Sequence, residues 1–148
     1  MVPHDLVVVI RASPASRAGA AEDVAEAARL SSEVYVVEHE DGFREVLYGV
    51  SVYARRPGAD PDVLQRFKAA PAYLAAPVGR LRAAGFPVLS TGIHPDHFDV
   101  QLVPGRGERD LVTDEAITTG ARRLVDTAGD LQPNPFYAGA GEQSPEDR

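Results

Sequence analysis

The densest run of chemically capable side chains is Thr91-Gly92-Ile93-His94-Pro95-Asp96-His97-Phe98-Asp99. Two of the four histidines and two aspartates fall there within six residues. Imidazole and carboxylate together bind Zn²⁺, and an aspartate can orient a histidine that acts as a base near neutral pH. On that chemistry His94, Asp96, His97 and Asp99 are candidate catalytic residues of a small hydrolase or nuclease. His94 and His97 are the candidate metal ligands. The competing account is structural: His94-Pro95-Asp96 forms a turn in which Asp96 bonds locally to backbone, and His97 and Asp99 point outward from a half-buried strand.

Other sites are weaker. Glu38-His39-Glu40-Asp41 gathers carboxylates around an imidazole at a hairpin tip, which suits a weak cation site or a solvated turn. Pro104-Gly105-Arg106-Gly107-Glu108-Arg109-Asp110 sets two arginines before a helix whose N-terminal N–H groups Thr113 and Asp114 already serve. The only lysine, Lys68, lies outside any glycine-rich phosphate loop. The nearest approach to a Gly-x-Ser-x-Gly elbow is Gly49-Val50-Ser51-Val52-Tyr53, which reads as mid-strand.

Three family patterns bear on these residues. Residues 92–97 resemble part of the His-x-His-x-Asp-His motif of metallo-β-lactamases, with Gly92 in place of the first histidine and no downstream ligands. The order of elements over residues 5–55 is similar to that of the histidine-containing phosphocarrier HPr. That family places a histidine before Ala-Arg-Pro at its first helix; here Ser13-Pro14-Ala15-Ser16-Arg17-Ala18 holds an arginine and no histidine. The resemblance therefore implies topology and not phosphotransfer. Tyr35 and Tyr53, on one side of neighbouring strands, are placed like the stacking aromatics of RNA-recognition motifs. The characteristic basic-aromatic run is missing, and paired tyrosines also suit cross-strand packing or an interface.

The elements that must position these residues follow from periodicity. Residues 5–11 read as a strand apolar on both faces, hence internal to a sheet. A helix to about residue 30 carries an Ala20, Val24, Ala27, Leu30 stripe. Residues 33–39 and 43–55 bracket Asp41-Gly42, a strong hairpin signal, with the second arm as one long strand. Helical pieces are expected at 61–70 and 77–84, with a short turn at 71–76 between them, because Pro71 and Pro77 break a continuous helix. Strands follow at 86–91 and 97–103. A last helix is capped by Thr113 and carries Ile117, Ala121, Leu124 and Ala128 inward.

The order β-αββ-αββ-α predicts an α+β domain over residues 1–129. The expected sheet is mixed or antiparallel in a ferredoxin-like (split βαβ) arrangement, with helices on one face and an additional C-terminal helix. Residues 130–148 are rich in Pro, Gly and acid and read as a disordered or partner-docking tail. Within it, Asn134-Pro135-Phe136-Tyr137 has the letters of peptides read by adaptor domains, and could equally dock back onto the domain.

Composition narrows the function. The chain has 148 residues, no cysteine and a formal charge of −7, which excludes disulfides and thiolate chemistry and opposes binding to nucleic acid or anionic lipid. Its longest aliphatic run, residues 6–10, is too short to span a bilayer or form a signal-peptide core, so a cytoplasmic place is expected. No coherent catalytic constellation emerges and no cofactor is indicated. The leading expectation is a non-catalytic interaction or assembly module, self-associating as a homodimer or binding a protein partner through an open sheet face. Its interface residues would be Tyr35, Leu47, Tyr53, Phe136 and Tyr137. The alternatives are the hydrolase or nuclease above and a small-ligand-sensing domain whose ligand sits between the sheet edges of a dimer, near Gly92 and the strand ends.

Overall fold

Val7–Ala12 (β1) is apolar on both sides because both sides are covered: Val8, Ile10 and Ala12 face one core cluster and Val9 another. The computed structural model describes residues 3–12, 17–32, 36–59, 61–90, 94–103 and 112–138. After β1 come the helix Arg17–Ser32 (α1), the short strands Val36–Glu38 (β2) and Arg44–Val46 (β3), and Gly49–Ala54 (β4). A 3₁₀ helix Val63–Phe67, the strand Ala72–Pro77 (β5) and the helix Val78–Ala83 (α2) follow. Val88–Ser90 (β6), His97–Gln101 (β7), the helix Asp114–Ala128 (α3) and Gln132–Pro133 (β8) complete the described elements.

The main sheet has six strands in the order β6-β7-β4-β1-β5-β8, and β2 and β3 form a separate hairpin. Every described strand pair is antiparallel. The fold is therefore α+β, but its topology departs from the expected split βαβ arrangement, which needs a parallel central pair. Both neighbours of β1 run against it.

The departure traces to β5. Residues 71–76 were expected as a turn between helices, yet Ala72–Pro77 pairs with all six residues of β1. Its burial alternates strictly, with Ala72, Leu74 and Ala76 in the core. Alanine has weak strand preference, so this alternation is carried by position rather than by residue type. The intended long arm 43–55 also divides: β3 pairs with β2, whereas β4 joins the main sheet. The turn between β2 and β3 forms as expected, with Gly42 at φ 87° and the Phe43 amide donating to Asp41 Oδ1 at 2.9 Å.

All three helices contribute to one apolar cluster against one face of the sheet. On α3 the expected stripe is buried, and Thr113 Oγ1 accepts from the Ala116 amide at 3.1 Å as its cap. On α1 the buried face is Ala20, Ala21, Val24, Ala25 and Ala28. Leu30 is 61% exposed, so the stripe is rotated from the one its larger residues suggested.

The other face of the sheet was expected to be open, and around Val9 it is not. Leu64 and Phe67 of the 3₁₀ helix, Ala70 and half-buried Phe136 close over Val9, Tyr53, Tyr73 and Ala75. The segment 131–138 does the holding. β8 pairs with the outer side of β5, and Asn134, 5% exposed, donates from Nδ2 to the carbonyls of Phe67 and Ala70, each at 3.0 Å. The fold thus extends past Gly129, and only 139–148 of the expected tail lie outside the described residues.

Candidate functional site

The sequence cluster around His94 comes together on Tyr53. In β7 the residue His97 lies opposite Tyr53, with ring centroids 5.0 Å apart and nearly perpendicular. His94 packs against the same tyrosine at 5.9 Å. The two aspartates do not join them in a shared site. Asp96 pairs with Arg56 at 2.8 Å. Asp99 is 1% exposed, in register with Ser51 and Leu89. His97 and Asp99 were expected to point outward; both are buried, because the face they occupy is covered.

The hydrogen bonds of His94 limit what it can do. Its Nδ1 accepts the Asp96 amide at 3.1 Å, so in the neutral ring the proton sits on Nε2. Arg66 Nη1 lies 3.3 Å from Nε2, within hydrogen-bond distance of the other ring nitrogen. Both ring nitrogens of His94 thus already have protein neighbours. Among the described residues no three His, Asp or Glu side chains are grouped to hold a metal ion. The residues of the expected turn are real neighbours, but their geometry is that of a structural corner.

The expected interface residues separate in the same way. Leu47 is 1% exposed, and Tyr53 is enclosed by Phe67, His94, His97 and the guanidinium of Arg66. Phe136 packs into the second core cluster, whereas Tyr137 is 49% exposed. Tyr35 lies outside the described residues.

A different site emerges from the strand pairing. β1 pairs with β5 along its whole length but with β4 only at Val8↔Ala54 and Val9↔Tyr53. In that register Ile10 would face Val52 and then Arg11 would face Ser51, but the ladder has ended. A cavity of about 450 Å³ occupies the opening, lined by residues of both sheet faces. Val24, Ala27 and Leu30 of α1 form one wall, Ile10 and Val50 the strand margins, and Phe67 and Ala70 the far side. Its polar groups are Arg11, Ser51, Asp23 and Glu26.

The charges there are unequally satisfied. Glu26 pairs with Arg29 at 3.4 Å, and Asp23 has its own partner in the fold. The Arg11 guanidinium lies over the Phe67 ring, 5.0 Å from its centroid, and makes no ion pair among the described residues. Sequence reasoning passed over this site. The available signal was Arg11 itself, a full charge set inside an otherwise apolar strand.

Outside the cavity lining, Arg55 fixes the start of the 3₁₀ helix. Its Nη2 meets Asp62 Oδ2 at 2.8 Å and its Nη1 donates to the Tyr73 hydroxyl at 3.0 Å. The Asp62 hydrogen bond holds the Arg55 pKa above its ordinary value, against the opposing effect of burial. Burial pushes the Asp62 carboxyl upward, but the Arg55 hydrogen bond, the Leu64 amide and the Arg55 charge outweigh it and leave it below the ordinary aspartate range. A depressed folded pKa adds stability that is present above the unfolded value and lost as pH falls through the folded one. Asp62→Asn keeps a capping oxygen and removes the charge, so it should cost about 0.5 kcal/mol near neutrality, as partly exposed pairs do. In urea titrations run at successively lower pH, that difference should vanish below the ordinary carboxylate range. A difference that persists in acid would show that shape, not charge, is at work.

The chain matches no protein-family model, no curated protein and no solved structure. Among the described residues no helix is long and apolar enough to cross a membrane. The site has to be read from its own chemistry.

Proposed function

We propose that the chain is a non-catalytic domain that binds a small organic ligand in the opening between β1 and β4. The observation that carries this reading is the early end of the β1–β4 ladder. Two strands that could pair further stand apart, and the space between them is within the size range of small-molecule sites. Mostly apolar walls with a few polar groups are the usual composition of such sites. A hydrolase or nuclease has less support, since Asp96 is paired with Arg56 and both ring nitrogens of His94 have protein neighbours. Assembly through Leu47 and Tyr53 has less support, since Leu47 is buried and Tyr53 is half-buried against Phe67, His94 and His97.

A thermal-shift screen across metabolite classes tests this, run on the native chain and on Ala27→Trp. Ala27 is an exposed residue of the cavity wall, so an indole there fills the opening without disturbing the core. At a hundredfold excess over its dissociation constant a ligand adds about 2.7 kcal/mol, or roughly 5–10 °C for a domain of this size. The native chain should show such a shift with at least one class, and Ala27→Trp should lose it while melting near the native temperature. A screen with no shift, or with equal shifts in both proteins, overturns the reading.

A further inference from the structure

We infer that the ligand is a small monocarboxylate with an apolar body, its carboxylate held by Arg11 at the mouth of the β1–β4 opening. The inference rests on the cavity reading above and adds the ligand's chemistry. Arg11 is the one charged wall residue without an ion-pair partner among the described residues; Glu26 and Asp23 are already engaged. Its guanidinium is braced against Phe67, which limits the orientations of a planar fork suited to two parallel hydrogen bonds with a carboxylate. Ser51 sits on the facing strand, where its hydroxyl can add a donor. Behind this polar lip the walls are Ile10, Val24, Val50 and Ala70, which favour a hydrocarbon body.

The same inventory argues against a phosphate ester. A phosphate carries close to two negative charges at neutral pH, and here a single guanidinium faces it with two carboxylates on the adjoining helix. A single negative charge matches a single cation. A purely cationic ligand is disfavoured because both acids already have partners in the fold.

The experiment compares matched probes by calorimetric titration: phenylacetate and 4-methylpentanoate, their neutral amides, and phenyl phosphate. Each is run on the native chain, Arg11→Gln, Arg11→Lys and Ala27→Trp. Arg11 is solvent-exposed, so both substitutions should leave the melting temperature nearly unchanged. The acids should bind the native chain about tenfold or more tightly than their amides, the usual scale of a charge-assisted hydrogen bond, and more tightly than phenyl phosphate. Arg11→Gln should bring the acids down to the affinity of the amides without changing the amides, and Arg11→Lys should recover part of the preference. Acids and amides that bind alike, or a preference that survives Arg11→Gln, overturn the carboxylate assignment. If that binding is still blocked by Ala27→Trp, the cavity reading stands. Tighter binding of phenyl phosphate replaces the assigned class with a phosphate ester. Absence of binding by every acid and amide overturns the carboxylate assignment, and the cavity reading falls with it only if phenyl phosphate and the broader thermal-shift screen are also blank.

Discussion

Alanine at Gly120 should destabilise the chain, although alanine is the better helix former by about 1 kcal/mol. Gly120 lies inside α3, where the helix crosses the segment that follows β7. A Cβ built there would stand 2.8 Å from the Leu102 carbonyl oxygen and 3.2 Å from the Leu102 Cβ. The obstructing atom is backbone and cannot rotate away. It is fixed further by the Leu102 amide, which donates to the Tyr48 carbonyl at 2.9 Å. Overpacking of this kind costs typically about 1–3 kcal/mol; with an unyielding backbone atom the cost falls at the upper end, so the net loss for Gly120→Ala should be up to about 2 kcal/mol. Valine adds bulk and rotamer restriction, and Gly120→Val should lose about 3 kcal/mol or more. Urea denaturation of the two variants measures this directly. An alanine variant more stable than the native chain would mean that α3 can slide off Leu102 at no cost.

Loss of the Asn134 side chain should be at least as damaging. Its amide is buried where a chain end would ordinarily be solvated, and it joins three backbone groups from two segments. Nδ2 donates to the Phe67 and Ala70 carbonyls, and Oδ1 accepts the Phe136 amide at 3.0 Å. Phe67 O also receives the Ala70 amide at 2.9 Å, so it is partly compensated when Asn134 is removed; Ala70 O and the Phe136 amide lose more. Stranding a buried polar group costs about 1–3 kcal/mol each, and Asn134→Ala should cost about 3 kcal/mol in total. Asn134→Asp keeps the outline but turns a carboxylate toward two carbonyl oxygens. It should be worse than alanine at neutral pH and should recover in acid, where a protonated carboxyl can donate once. Hydrogen exchange should show the amides of 134–138 and the 3₁₀ helix losing protection together. Protection lost only at 134–138 would show that the 3₁₀ helix is held by its own contacts.

How much of this was legible in the residues depended on whether the signal was local. Thr113 with its following stripe specified α3, and Asp41-Gly42 specified the hairpin turn, because cap and turn chemistry act over a few residues. β5 was illegible for a physical reason. An alanine-rich strand bounded by prolines has no local preference, and only its pairing with β1, some sixty residues away, makes it a strand. The strand order inherited that omission, since a pattern without β5 leaves β1 short of a neighbour. The sites behaved alike. His94 and His97 were placed near each other by adjacency, yet whether their nitrogens were available depended on Asp96 and on what covers Tyr53. The cavity was beyond reach, because a gap between two strands is defined by where pairing stops.

The outermost strand on one side of the sheet is β8, only two residues long, and one of them is Pro133. A proline offers no N–H to an incoming chain, so this margin presents almost no template on which foreign strands could add. Trimming the protein before residue 131 would bare Ala72 and Tyr73 of β5, the two residues that β8 covers. The predicted outcome is more fibrillar or amorphous association than the intact chain shows, together with loosening of the Phe67 and Ala70 side of the cavity.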